Sequence, residues 1–194
     1  SSAASYVYKR QNIFMTKTQR VIITFDEIYE DLLIIMKKNK KVILPESFNE
    51  AYKSIAEGGW VGISGDVKYG GLGLPLIVTT CVNELLSSAC LSLALNPLMT
   101  QGQIDALESH ANEDIKNIFL PKLNSGEWSG TMNLTEPQAG SDVGALRTLA
   151  LKDNDGTYKI TGQKIYISWG DHSLSSNICH LLLARLPNSP VSYT

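Results

Sequence analysis

The hydrophobic pattern of the chain changes period part-way along. From Phe25 to about Leu123 apolar residues recur at helical spacing, and after Gly130 they alternate. Phe48, Ala51, Tyr52, Ile55 and Ala56 fall at i, i+3, i+4, i+7 and i+8, lining one side of a helix that Gly58-Gly59 stops. Pro75 opens the next helix, where its missing N–H costs least. That helix runs from Leu76 to about Cys90, is apolar nearly all round, and is therefore expected at the centre of a bundle. Another begins near Leu91, and Asn96-Pro97 is expected to break or kink it. Asn112 reads as an N-cap with Glu113 and Asp114 favourable in the first turn. Ile115, Ile118, Phe119 and Leu123 are the expected inward face of this helix, and Pro121 its bend or end.

Downstream, Tyr158 and Ile160 alternate with Thr157, Lys159 and Thr161, as in a half-buried strand. Asp153-Asn154-Asp155-Gly156 is a hairpin turn before it. Residues 164–168 and 178–186 read as further strands. Helices first and strands second make an α+β chain. An N-terminal all-α bundle covers residues 25–129, and an incomplete β domain covers residues 130–194. The strands are too few to close a barrel or pair two sheets. Residues 1–24 are expected to be a poorly ordered tail, and the first dozen have no periodicity at all.

Composition narrows the function classes. A net charge of −2 over 194 residues gives no broad basic surface, so nucleic-acid binding is not expected. The dense run Lys37, Lys38, Lys40 and Lys41 reads as a solvated helix end or turn. Cys81, Cys90 and Cys179 form no CxxC and sit in apolar sequence, as buried reduced thiols do. His110, His172 and His180 lack zinc-site spacing, so no metal is expected. No apolar run approaches the roughly 18 residues of a membrane span, and no signal peptide is visible. A cytoplasmic protein is the expectation.

Two segments invite a chemical reading. Tyr69-Gly70-Gly71-Leu72-Gly73 lacks the third glycine of a dinucleotide fingerprint, because position 76 is Leu, and no strand precedes it. It reads as a glycine turn into the Pro75 helix. The segment from Met132 to Asp142 is held open by Pro137, Ala139 and Gly140 and offers the hydroxyls of Thr135 and Ser141. Backbone near Gly140 can approach a ligand closely. Residue chemistry alone allows either an uncharged ring-binding loop or an ordinary connection between strands.

Leu134-Thr135-Glu136-Pro137-Gln138-Ala139-Gly140-Ser141-Asp142 resembles the signature of the acyl-CoA dehydrogenase family. Tyr158 to Ser168 resembles the family's second conserved stretch, and Tyr69 to Gly73 its N-terminal glycine turn. The stretch from Gly170 to Pro187 is similar to a bacterial branch that includes the 3-methylmercaptopropionyl-CoA dehydrogenases. The resemblance implies FAD as cofactor and an acyl-CoA as substrate, oxidised to a trans-2-enoyl-CoA. It also implies an electron-transferring flavoprotein as acceptor and a homo-oligomer for the full-length protein. The β domain would then be the incomplete middle domain of such an enzyme, with the C-terminal helical bundle absent.

Carried over by position, the resemblance places Thr135 on the flavin ring, with backbone of Met132 and Leu134 beside it. Gly140 and Ser141 face the pyrophosphate and the CoA. Tyr166, Ile167 and Ser168 lie next to the ring, where the family often has Trp and Thr at the first and last of these. Leu95, Met99 and Gly102, with Ser141, are the expected substrate contacts. No catalytic residue is expected here, because the family's base is a Glu of the C-terminal bundle. Glu127, Glu136 and Asp142 are read as scaffold. The alternatives are an acyl-CoA oxidase fragment and a non-catalytic dehydrogenase-like module.

Overall fold

The structure is a computed structural model that describes residues 8–12, 42 and 44–188. The expected helical pattern over 25–41, the lysine run and the residues after 188 lie outside it.

Helix α1, Glu46–Glu57, buries Tyr52 and Ile55 and packs Phe48, Ala51 and Ala56 beside them, as the stripe predicts. Gly58 caps it and Gly59 follows at a φ of 74°. The next stretch is a tight knot of backbone. The amides of Gly71, Leu72, Gly73 and Leu74 donate to the carbonyls of Asp66, Gly62, Gly65 and Ile63. A Cβ on Gly71 would collide with the Gly65 carbonyl. The amides a phosphate would need are already spent, so the glycine run is a turn, as expected.

Helix α2 spans Leu76–His110, with Pro75 just outside its first residue. It departs from expectation in two ways. Its bend at Cys90 (φ −158°, ψ 95°) falls where one expected helix ends and the next begins, but Asn96 and Pro97 continue inside the helix instead of breaking it. Its first arm is not central: Leu76, Ile77 and Leu85 are 76%, 69% and 69% exposed. An all-round apolar pattern says that a helix can be covered, not which part of the chain covers it. Among the described residues, α2 has the length and apolar composition of a membrane span. Counting uninterrupted apolar runs missed this, because the polar residues of α2 are mostly uncharged. Its second arm packs on the strand Trp128–Asn133 through buried Thr100 and Gln103, as a core helix of a globular domain does.

Helix α3, Glu113–Asn124, is capped by Asn112, whose Oδ1 accepts from Ile115 N at 2.9 Å. Leu120, Leu123 and Asn124 are its fully buried residues, Phe119 packs against the core, and Ile115 is half-buried. The expected inward face departs at Ile118, which is 57% exposed, with Leu120 inward instead, and Pro121 is accommodated within the helix. Tyr69, Ile104, Leu120, Leu123 and Cys179 form one core cluster, and Tyr52, Ile55, Val61 and Leu93 a second. Of the three thiols only Cys179 is buried; Cys81 is exposed and Cys90 partly so.

Two sheets follow. Strand β2, Trp128–Asn133, pairs in parallel with β5, Asn177–Leu182. Strands β3, Leu149–Lys152, and β4, Tyr158–Gly162, form the expected hairpin, with Gly156 at a φ of 84° in its turn. Strand β1, Tyr8–Asn12, from the segment read as a tail, adds antiparallel to β4 with a bulge between Lys9 and Gln11. The segment read as a strand over 164–168 is irregular, because Lys164 turns inward and Tyr166 takes a φ of 57°. The last strand stops at Leu182, short of the expected 186.

Candidate functional site

The end of β2 feeds the loop that carries most of the polar residues of interest. Glu136 and Ala139 exchange both backbone hydrogen bonds at 3.0 Å, closing Pro137-Gln138 into a tight turn. The Glu136 carboxylate, 3% exposed, gathers four donors. Oε1 accepts from Lys164 Nζ at 2.8 Å and Thr148 N at 3.0 Å, and Oε2 from Arg147 N and Gln138 Nε2 at 2.7 Å each. Burial alone would raise its pKa. Lys164 and the two backbone amides outweigh that and hold the carboxyl down to about 2.

Lys164 also donates to the Leu134 carbonyl at 2.8 Å, and Ile165 N donates to the Thr135 carbonyl at 3.0 Å. These bonds seat residues 164–168 alongside Leu134 and Thr135, although some 30 positions separate them in sequence. The rest of the loop is open. Gly140, Ser141 and Asp142 are exposed, and a Cβ on Gly140 would meet nothing within 4 Å. Met132, Leu134, Thr135 and Ser168 are half-buried, Ile167 is buried, and the Tyr166 ring is 75% exposed. Among the described residues, the hydroxyls of Thr135, Ser141, Tyr166 and Ser168 make no hydrogen bond to the protein. The loop therefore keeps Glu136 inside and presents uncharged groups outward, apart from Asp142 at its edge.

The second arm of α2 turns Asn96, Thr100 and Gln103 into the core, and Thr100 Oγ1 accepts from Gly130 N at 2.9 Å. Leu95 and Met99 lie half-buried on a neighbouring face, with Gly102 exposed on the same face. The structure connects this arm to the Thr135 loop through β2. A buried histidine adds a second tie. Leu174 N donates to His172 Nδ1 at 3.1 Å, so the ring offers Nε2–H to Ser129 Oγ at 2.8 Å, with the Asn96 amide 3.3 Å away. On β5, burial holds the His180 imidazole down to about 4, and its Nδ1 lies 2.7 Å from Thr131 Oγ1.

Residues 35–127 match the acyl-CoA dehydrogenase N-terminal domain. Over 153 residues the chain is 48% identical to 3-methylmercaptopropionyl-CoA dehydrogenase of Ruegeria pomeroyi, covering 79% of this chain and 26% of that protein. It is 44% identical to a butyryl-CoA dehydrogenase of Syntrophomonas wolfei, covering 76% of this chain and 24% of that one. The fold matches the crystal structure of an acyl-CoA dehydrogenase from Bacillus anthracis complexed with FAD. The TM-score there is 0.63 at 25% identity, over 82% of this chain and 26% of that one. The chain belongs to the acyl-CoA dehydrogenase family. It spans about a quarter of the length of these curated relatives and matches the N-terminal part of the family fold.

Within this family member the three carboxylates differ sharply. Glu136 is saturated with donors. Glu127 lies on the surface, where both of its oxygens accept from Lys122 Nζ at 2.7 Å. Asp142 is exposed at the loop edge. Sequence reasoning missed Lys164, Trp169 and His172. A lysine opening a strand-like segment was the one visible signal for Lys164. Trp169 and His172 carry no local signature, since their partners are helical residues about 75 positions upstream.

Proposed function

We propose that this chain forms the flavin- and CoA-facing part of an FAD-dependent acyl-CoA dehydrogenase that converts an acyl-CoA to its trans-2-enoyl-CoA. The observation that carries the reading is the docking of residues 164–168 against Leu134-Thr135. It leaves the hydroxyls of Thr135 and Ser168 unspent beside an exposed tyrosine ring. The residues fit a flat, uncharged heteroaromatic ring: hydroxyl donors, an aromatic face, and an open approach at Gly140.

FAD supplies the hydride acceptor when bound. Thr135 and Ser168 orient the ring, the backbone of Met132 and Leu134 lies alongside, and Tyr166 and Ile167 cover a face. Gly140 and Ser141 receive the pyrophosphate and, at Ser141, the CoA. Leu95, Met99 and Gly102 form a wall for the acyl chain. Removal of the α-proton needs a carboxylate within reach and with a suitable pKa. Four protein donors already occupy Glu136 and Lys122 engages Glu127, and the family resemblance assigns the base to a Glu outside residues 1–194. The proposed acceptor is an electron-transferring flavoprotein, the proposed assembly a homo-oligomer, and the proposed setting the cytoplasm.

The test uses the full-length protein that carries this chain. It is expected to purify with FAD and to bleach its flavin anaerobically on addition of butyryl-CoA, releasing the enoyl product. Purified residues 1–194 with an artificial electron acceptor are expected to give no steady turnover. A flavin-free full-length protein would sink the reading, and steady turnover by residues 1–194 would overturn the placement of the base. Hydrogen peroxide release in place of electron transfer would reassign the activity to an oxidase.

A further inference from the structure

The turn at Tyr166 to Ser168 and the bend of α2 come from distant parts of the chain, and one side chain joins them. Trp169 has a φ of 56°, a backbone conformation that bulky residues rarely adopt. Its indole N–H donates to the Ser92 carbonyl at 2.9 Å, two residues beyond the non-helical Cys90. Its ring is tilted on Phe48 of α1 at 6.2 Å between centroids and meets His172 edge-on at 5.3 Å. His172 in turn faces Ser129 of β2 and Asn96 of α2. Asn96 is flanked by Leu95 and Met99 on the same arm. The expected acyl wall and the expected flavin-facing turn are thus held to a common anchor.

We propose that Trp169 is a positioning residue: it fixes the bent second arm of α2 against the Tyr166–Ser168 turn and so sets the spacing between acyl chain and flavin. The role rests on the dehydrogenase reading above. Trp169 takes no part in bond making; it acts through Ser92 on one side and Ser168 on the other. Its leverage is geometric. Reacting atoms must lie about 3–3.5 Å apart and aligned, and a displacement of about 1 Å can cost a hundredfold in rate. Loss of the indole N–H with the ring stack retained allows a smaller shift, and about a tenfold loss is expected.

The test compares Trp169→Phe and Trp169→Leu with wild type in the full-length protein. Trp169→Phe is expected to keep its FAD content and cooperative melting. Its flavin visible circular dichroism should change, and flavin reduction by butyryl-CoA should slow about tenfold. Trp169→Leu should lose more of each, and if it fails to fold, Trp169→Phe alone decides. Wild-type dichroism and wild-type reduction rate in Trp169→Phe would overturn the role. Amide exchange over residues 92–96 gives a reading independent of cofactor: it should quicken in Trp169→Phe, and unchanged exchange overturns the link. A wild-type protein without flavin would instead count against the dehydrogenase reading and leave the exchange result to judge the anchor.

Discussion

Replacing Glu136 with Gln keeps the side-chain shape and removes one charge from a buried pair. Lys164 Nζ and the Glu136 carboxylate are 2.8 Å apart, with side chains 1% and 2% exposed. Glutamine offers one acceptor oxygen where four donors converge, so its NH2 would face two of those donors. Lys164 would keep its charge with only the Leu134 carbonyl and one amide oxygen in reach. Breaking a buried pair from one side costs about 3–5 kcal/mol. The depressed pKa gives a second estimate. A fall from 4.5 to about 2 corresponds to roughly 3 kcal/mol of stability at neutral pH. The two agree, and either is a large share of the roughly 5–15 kcal/mol that holds a domain folded.

The sign with pH follows from the direction of the shift. The folded pKa lies below the unfolded one, so the contribution is fully present above pH 4.5 and is lost as pH falls through about 2. Urea denaturation of wild type and Glu136→Gln at pH 7, 4.5 and 3 measures both effects. The midpoint should fall by about 1–3 M at pH 7 for an m-value of roughly 1–3 kcal/mol/M. The gap should be unchanged at pH 4.5 and narrower at pH 3. A loss below about 1 kcal/mol at pH 7, the most a surface ion pair gives, would refute the reasoning, as would a gap that ignores pH.

Two further changes probe the ligand-facing groups in the full-length protein. Thr135→Val removes one neutral hydrogen bond worth about 0.5–1.5 kcal/mol, so the Kd for FAD should rise by roughly 2- to 12-fold. Equilibrium dialysis and the flavin spectrum read this, and unchanged occupancy with an unchanged spectrum would remove Thr135 from the ring. Gly102→Ala adds a methyl that meets nothing within 4 Å in a helix interior, so thermal or urea stability should rise by up to about 1 kcal/mol. Acyl-CoA affinity should fall at the same time, and unchanged affinity would take Gly102 out of the acyl wall.

What could be read from the sequence follows how local each cause is. The Asn112 cap, the stripe on α1 and the 153–156 turn depend on neighbours in sequence, and all appear as expected. The segment 134–142 was read through its resemblance to a family signature, and residue chemistry alone left its role open; its turn closes on itself through Glu136 and Ala139. The helix boundary expected between Cys90 and Leu91 is the bend of α2, beside the Ser92 carbonyl that Trp169 engages, whereas the break expected at Asn96-Pro97, from a local backbone penalty, does not occur. Residues 164–168 have strand-like alternation, yet the buried Lys164–Glu136 pair, 28 positions apart, turns them into a docked irregular segment. The exposed first arm of α2 was unreadable for another reason. Hydrophobicity records a capacity for burial, and among the described residues Leu76, Ile77 and Leu85 stay exposed.

The chemistry of the loop also follows from where its charges sit. A carboxylate that takes the α-proton of a thioester must present a lone pair to substrate and must hold the proton it receives. Glu136 fails on both counts: its oxygens are taken by four protein donors, and a pKa of about 2 makes it a poor proton acceptor near neutrality. The same features make it a good frame. A fully bonded charge pair holds Leu134, Thr135 and residues 164–168 in register without leaving a net charge beneath them. Neutral hydroxyls and backbone dipoles held in that way need little rearrangement as charge develops on a bound cofactor. A strong buried charge pair beneath neutral hydroxyls is therefore suited to framing a ligand-facing edge and unsuited to accepting a substrate proton.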